Sequence, residues 1–212
     1  GAKVTITDGS STFVLNELSG GSYFTADSIK GEIGKTYTLN IELADGQKYS
    51  ASDYLGPCAV FDSIGQTLNH KEYMGDYGYD VLFYGLEPEP AGNYYMFLLY
   101  KNNELYSDTI TEVSFANDEF INGMHVRDYV VYRIREADLE RPAMITLEMN
   151  SINKGYYDFM SALMIETVCK GSPWDGPPAS LPSNLSNGAR GYFRASDMKR
   201  HSKNFLPQPR SN

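Results

Sequence analysis

Features that identify many protein classes are scarce in this chain of 212 residues. It has two cysteines and no C-x-x-C pair, which excludes a zinc ribbon or a thioredoxin-type site. No apolar run approaches the roughly 18–20 residues of a membrane-spanning helix. Basic residues are also few, because the chain has 18 Lys and Arg against 27 Asp and Glu, which gives a net charge of −9. We therefore expect no nucleic-acid partner, since phosphate binding needs a basic surface.

Sequence motifs of catalysis are missing as well. The chain has no HExxH, GxSxG, GxxxxGK[ST] or EF-hand pattern, and His70, His125 and His201 lie far apart in sequence. We therefore predict a protein that is not an enzyme and that carries no cofactor. A hydrolase without a recognisable motif is the least favoured alternative, since paired carboxylates can act alone.

Aromatic residues, by contrast, are abundant. The chain has 17 Tyr and 10 Phe, and aromatic residues make up 13% of it. Aromatic side chains favour strands, and residues 36–43 show the alternation expected of an antiparallel sheet with one wet face. We predict a mainly β fold with two antiparallel β-sandwich-like units and one α-helix near 153–169. Helix content should stay below about 15%, well under the usual third.

The predicted strands divide the chain into two units and a tail. Consecutive alternating segments with tight turns, such as Asp45-Gly46, predict an N-terminal unit over 1–55. Residues 56–198 predict a second β-unit, which contains the helix. The polar, basic residues 199–212 are expected to form a frayed tail.

Two further segments of the second unit have distinctive compositions. Residues 65–79 are polar and rich in Tyr and Gly, which indicates a surface loop. Residues 192–196 (YFRAS) are predicted as a final strand.

The helix prediction depends on a periodic apolar stripe and on a capping residue. Asn153 is a suitable N-cap, and Gly171 with Pro173 would end the helix. We expect the stripe to pack on the second unit. Its members are Tyr156, Phe159, Met160, Leu163, Met164, Thr167 and Val168.

Candidate ligand-binding residues are aromatic. Tyr73, Tyr77 and Tyr79 are predicted to stack on a glycan or a peptide, as is the lone Trp174. The alternative for the tyrosines is a structural role in packing a β-sandwich. For Trp174 the alternative is to anchor a Pro-rich loop on the folded domain.

Acidic and sulfur-bearing residues supply two more candidate sites. Asp76 and Asp80 flank Gly78 and are candidate calcium ligands, although a solvated acidic loop is the more common structure for such a sequence. Cys58 and Cys169 are candidates for a disulfide, which would close a long loop and add about 4–5 kcal/mol. The alternative is two buried thiols.

Three segments in order along the chain carry a family resemblance. They are Asp45-Gly46 with Tyr49-Ser50-Ala51, then Asp118–Gly123, and then Pro177–Phe193 (PPASLPSNLSNGARGYF). The set resembles a Bacteroidota lipoprotein family catalogued as domain of unknown function 4249, over residues 2–204.

This resemblance carries several implications about the protein. It implies a transthyretin-like or immunoglobulin-like β-domain at the start, from which the family's first strands are missing here. It implies a lipoprotein signal and a lipidated cysteine upstream of residue 1, and so an outer-membrane or cell-surface location in which the anchor alone contacts the membrane. It also implies a TonB-dependent outer-membrane receptor as partner. No catalytic residue is implied.

Two binding functions follow from these features. The first is a non-enzymatic accessory lipoprotein that captures a ligand for uptake with the receptor. The alternative is an adhesion module that binds a glycan or a protein through the tyrosine-rich segment.

Overall fold

The computed structural model describes residues 1–26, 28–73, 76–139, 141–168 and 181–208, with only the backbone for residues 70–73 and 76. Strands hold 50% of the described residues and helical segments 12%. The sheets are antiparallel, and the described residues contain one α-helix. The predicted mainly β fold class and its low helix content are confirmed.

The chain divides into two compact units, and each is built from two stretches of sequence. The first unit combines Gly1–Pro57 with Ser151–Asp197. The second unit combines Cys58–Asn150 with the C-terminal residues from Met198 onwards. The first boundary lies close to the predicted one at residue 55. The helix, however, belongs to the first unit, because the chain returns there after residue 150.

The first unit contains a single described five-stranded sheet with the order β3-β2-β1-β4-β5. Three tight hairpins link β1 to β2, β2 to β3 and β4 to β5, and the predicted Asp45-Gly46 turn lies in the last of them. Asp8 Oδ1 accepts hydrogen bonds from the amides of Ser10 and Ser11, and Asp45 Oδ1 accepts one from the Gln47 amide. The strands are β1 Lys3–Thr7, β2 Thr12–Ser19, β3 Ser22–Phe24, β4 Thr36–Glu42 and β5 Lys48–Tyr54.

The helix α1 spans Lys154–Val168, close to the predicted bounds. Asn153 is its N-cap as predicted, because Asn153 Oδ1 accepts a hydrogen bond of 2.7 Å from the Tyr156 amide. The predicted apolar stripe is half-buried from Tyr156 to Met164, and no described helix residue is fully buried.

The second unit contains two sheets that share one hydrophobic core. One sheet has the order β11-β7-β6, and the other has the order β10-β8-β12-β13, with β9 also paired to β8. Phe83 of the first sheet meets Phe97 of the second with ring centroids 5.8 Å apart. The strands are β6 Val60–Tyr73, β7 Asp76–Leu86, β8 Tyr94–Lys101, β9 Glu104–Leu105, β10 Ser114–Asn117, β11 His125–Arg135, β12 Ala143–Ile152 and β13 Met198–Phe205.

Three local predictions are wrong, and they concern residues 65–79, 192–196 and 199–212. The described residues of 65–79 do not form a surface loop, because they belong to the paired strands β6 and β7. Residues 192–197 have no strand structure. The predicted tail instead supplies β13, which pairs with β12 from Ala143↔Phe205 to Asn150↔Met198. Its polar sequence suits an edge strand, where lysine discourages pairing with another chain.

Candidate ligand-binding site

Of the four predicted aromatic ligand-binding residues, the structure describes the side chains of Tyr77 and Tyr79. Tyr79 is 1% exposed and belongs to the core of the second unit, so its ring offers no open face for stacking. Tyr77 is half-buried on the same strand. The Tyr73 side chain and Trp174 lie outside the described residues. The structure therefore favours a packing role in the core for Tyr79.

The predicted acidic pair Asp76 and Asp80 lies on one extended strand, β7. Four residues of strand separate their Cα atoms by about 13 Å, which does not suit two ligands of one ion. The Asp80 carboxylate accepts a hydrogen bond of 2.9 Å from Arg133 Nε and bonds of 3.0 and 3.1 Å from the side-chain Nδ2 of Asn69. These contacts favour a structural ion pair for Asp80. Among the described residues, no cluster of metal-ligating side chains is found.

The cysteine and histidine predictions have different outcomes. Cys58 is buried in the second unit, and its thiol lies 3.4 Å from the Met149 carbonyl oxygen. Cys169 lies outside the described residues, so the disulfide stays a prediction. His201 lies in β13 rather than in a tail, with its ring centroid 4.6 Å from that of Phe61. His125 is exposed at the start of β11.

Buried carboxylates in the second unit are held by structural partners. Glu148 is 5% exposed and pairs with Arg200 at 2.6 Å. Glu87 is 3% exposed and accepts a hydrogen bond of 2.6 Å from the Tyr95 hydroxyl. Burial raises the pKa of the Glu87 carboxyl above its usual range, and the charge of Asp118 adds to the rise.

A buried carboxylate network in the first unit is centred on Asp53. Its carboxylate accepts hydrogen bonds from Asn153 Nδ2 and, at 2.8 Å, from the Ala195 amide. Burial raises the pKa of Asp53, while the bonds from backbone amides and the charge of Arg194 oppose the rise. The network therefore ties β5 to the start of α1 and to the segment 193–196.

Aromatic rings extend this network along the helix. The Tyr192 hydroxyl lies 3.2 Å from Asn153 Oδ1, and its ring centroid lies 5.4 Å from that of Tyr156 and 5.5 Å from that of Phe159. The Arg194 guanidinium lies 5.0 Å from the Tyr156 ring centroid, a cation–π contact. A Cβ at Gly155 would collide with the Tyr192 hydroxyl, so a larger residue at this position would require the Tyr192 side chain to move.

The C-terminal motif folds back onto the β5 edge strand. Ser50 and Ser186 exchange two hydrogen bonds of 2.8 Å, and Asn187 Nδ2 donates one of 2.7 Å to the Lys48 carbonyl oxygen. Asn184 bonds both the amide and the carbonyl oxygen of Phe193, at 2.9 and 2.8 Å. The motif therefore covers the edge of the sheet and fixes Phe193.

Below this motif lies a cavity of about 240 Å³, which we call the Phe193 pocket. Its walls combine apolar side chains of the sheet with the segment 193–196, and all of its lining belongs to the first unit. Its described lining includes two cations and no carboxylate. The lining residues are Ile6, Phe13, Thr25, Ile29, Lys30, Gly31, Tyr37, Leu55, Phe193, Arg194, Ala195 and Ser196.

Two polar groups distinguish this pocket. The Ser196 hydroxyl oxygen is buried and has no hydrogen-bond partner among the described residues. Lys30 is exposed at the rim, and no ion pair to it is found in the described part of the chain. The Arg194 charge is held in place by Tyr156. The pocket therefore joins apolar walls to a positive rim.

Sequence reasoning missed this pocket. Its lining comes from six separate segments, and neither charge clustering nor periodicity joins Lys30 to Arg194 in the sequence. The one available signal was the motif that ends at Phe193, because Asn184, Gly188 and Gly191 are residues typical of a fixed loop. Gly188 and Gly191 do have positive φ values of 74° and 126°.

Comparisons with known proteins give one match. No curated protein and no solved structure matches the chain. No helix in the described ranges is both long and apolar enough to cross a membrane. A family of uncharacterised proteins matches over residues 1–202, which include both units and the motif that covers β5. The chain therefore belongs to the family described as domain of unknown function (DUF4249).

Proposed function

We propose that this protein is a non-enzymatic accessory lipoprotein that captures a ligand at the outer membrane or cell surface and acts with a TonB-dependent receptor in its uptake. The observation that carries the proposal is the Phe193 pocket, with its apolar walls and positive rim in an acidic chain. The proposed lipid anchor and receptor rest on the resemblance of the three motif segments described above.

A binding role also agrees with the state of the buried carboxylates. Asp53, Glu87 and Glu148 each accept hydrogen bonds from neighbouring side chains. Asp118 accepts bonds of 3.0 and 2.9 Å from the Gly92 amide. Such contacts hold loops and strands together, which is the structural use of a buried carboxylate.

The test is co-purification from gently solubilised outer membranes. The product of the whole gene is tagged at its C-terminus and compared with a variant whose upstream lipidation cysteine is replaced by serine. We expect the unaltered protein to fractionate with the outer membrane and to bring down a stoichiometric TonB-dependent receptor, and the variant to be lost from that fraction. Recovery of the unaltered protein alone, or outside the membrane fraction, would contradict the proposal.

A second candidate function, adhesion through a glycan, is favoured by a separate polar groove of about 360 Å³ in the first unit. Its lining includes Lys3, Thr5, Asn40 and Asn187, which offer hydrogen-bonding groups suited to sugar hydroxyls. Binding of the unanchored protein to a glycan array, weakened by Asn40→Ala and unchanged by Lys30→Gln, would support this function over the first.

A further inference from the structure

The size of the Phe193 pocket limits what it can hold. Its volume of about 240 Å³ lies below the roughly 300–1,000 Å³ of sites for drug-sized ligands. A single side chain or a small organic molecule fits this space. Ile6, Phe13 and Phe193 supply apolar walls, and the buried Leu55 and Tyr37 add to them.

The charge of the pocket limits the ligand further. The whole chain has a net charge of −9, yet the described lining holds Lys30 and Arg194 and no carboxylate. Among the described residues, the Asp53 carboxylate contacts this wall: it accepts a hydrogen bond from the Ala195 amide, and its charge interacts with that of Arg194. Clefts lined by charge of one sign attract ligands of the opposite sign. The rim is therefore complementary to an anion.

The two properties together define a ligand class. We propose that the Phe193 pocket binds an apolar group that ends in a carboxylate, either a small free acid or the C-terminal residue of a peptide. The inference rests on the proposed function in that it names the ligand class of the same site. The apolar body lies against Phe13 and Phe193, and the carboxylate lies between Lys30 and Arg194, beside the Ser196 hydroxyl.

The first experiment compares an acid with its uncharged analogue. The probes are 3-phenylpropionate and 3-phenylpropanol, titrated at up to millimolar concentration into isotope-labelled protein and followed by backbone amide shifts. We expect the acid to shift the amides of residues 28–31 and 193–196 and to bind about tenfold more tightly than the alcohol. Equal affinity of the two probes, or shifts elsewhere in the chain, would overturn the proposal.

A matched pair of charge reversals tests the rim. Lys30→Glu places a carboxylate at the pocket, whereas Lys3→Glu makes the same change of charge in the same unit outside its lining. We expect Lys30→Glu to weaken 3-phenylpropionate binding about tenfold and Lys3→Glu to leave it unchanged. Both side chains are exposed, so both variants should fold. Equal effects of the two variants would overturn the specific role of Lys30.

A second set of probes distinguishes the two sources of the carboxylate. A tripeptide that ends in Phe is compared with the same tripeptide ending in a carboxamide. If 3-phenylpropionate and the tripeptide with a free carboxylate bind but the carboxamide does not, both small acids and peptide C-termini are ligands of the pocket. Exclusion of the tripeptide restricts the site to small acids, and equal binding of tripeptide and amide would overturn the carboxylate requirement.

This test is independent of the co-purification experiment. If the receptor co-purifies but neither acid shifts the pocket, the accessory function stands and the ligand class is wrong. If the acids bind but no receptor is found, the pocket assignment stands and the uptake role is wrong.

Discussion

The two units bury their apolar side chains to different degrees. Among the described residues, the buried hydrophobic side chains of the first unit are few: Val4, Tyr37, Ala51, Leu55 and Ile152. All the others belong to the second unit, where two sheets face each other across one core. The first unit instead has one described sheet, whose inward residues Leu15, Leu39 and Ile41 stay half-buried. The densely packed unit is suited to stability, and the loosely covered unit holds the Phe193 pocket and the polar groove.

The largest expected difference is between two leucines. Leu147 in the second unit is 0% exposed, whereas Leu15 in the first is half-buried. We expect Leu147→Ala to lower the free energy of unfolding by about 3–5 kcal/mol and Leu15→Ala by about 1 kcal/mol. Urea unfolding followed by circular dichroism measures both. Similar losses would break the comparison, because they would show equal packing in the two units.

Ion pairs provide a second contrast. Arg200 pairs with Glu148, whose side chain is 7% exposed, whereas Lys154 and Asp158 in the first unit are 66% and 47% exposed. Arg200→Gln leaves a buried carboxylate with weaker partners, so we expect a loss of about 1–2 kcal/mol. Lys154→Gln should cost about 0.3–0.5 kcal/mol. A larger effect of Lys154→Gln in the same unfolding measurement would reverse the contrast.

The helix start of the first unit separates two roles of one residue. Asn153 caps the helix through its Oδ1 and bonds Asp53 through its Nδ2. We expect Asn153→Ala to lose about 1 kcal/mol more stability than Asn153→Ser, because serine keeps the capping oxygen. Thermal unfolding of the two variants measures this difference. Equal losses would show that the bond to Asp53, and not the cap, dominates.

The smallest expected effect is a pH trend in the second unit. The pKa of Glu87 is raised above its ordinary value of 4.5. Because the pKa of Glu87 is higher in the folded than in the unfolded protein, the contribution of Glu87 to stability is full below the unfolded pKa. This contribution is lost as the pH rises through the folded pKa. We therefore expect Glu87→Gln to gain stability relative to the unaltered protein as the pH rises.

Denaturant unfolding at several pH values measures this trend, with Glu89→Gln, an exposed residue of the same loop, as control. If the difference in stability between Glu87→Gln and the unaltered protein does not change with pH, the raised pKa of Glu87 is contradicted. A trend of the same sign for Asp53→Asn would extend it to the first unit, since burial raises the pKa of Asp53 as well.

Sequence reasoning succeeded where local chemistry decides the structure. The β4 alternation, the Asp45-Gly46 turn and the Asn153 cap each depend on residues close together in sequence, and each is present. The β6–β7 hairpin and β13 were missed because partner strands, rather than their own composition, make them strands. The same reason explains the missed pocket, whose charged rim joins residues 30 and 194.

The order of synthesis gives the interleaved units a consequence for ligand capture. Residues 1–57 leave the ribosome before Ser151–Asp197, and the first unit is complete only when both stretches have been made. At about 5–20 residues per second, several seconds separate β5 from the motif that covers its edge. During this interval the β5 edge is open to other chains or to chaperones. Because Phe193–Ser196 lies near the end of the second stretch, the pocket forms only after translation has passed residue 196.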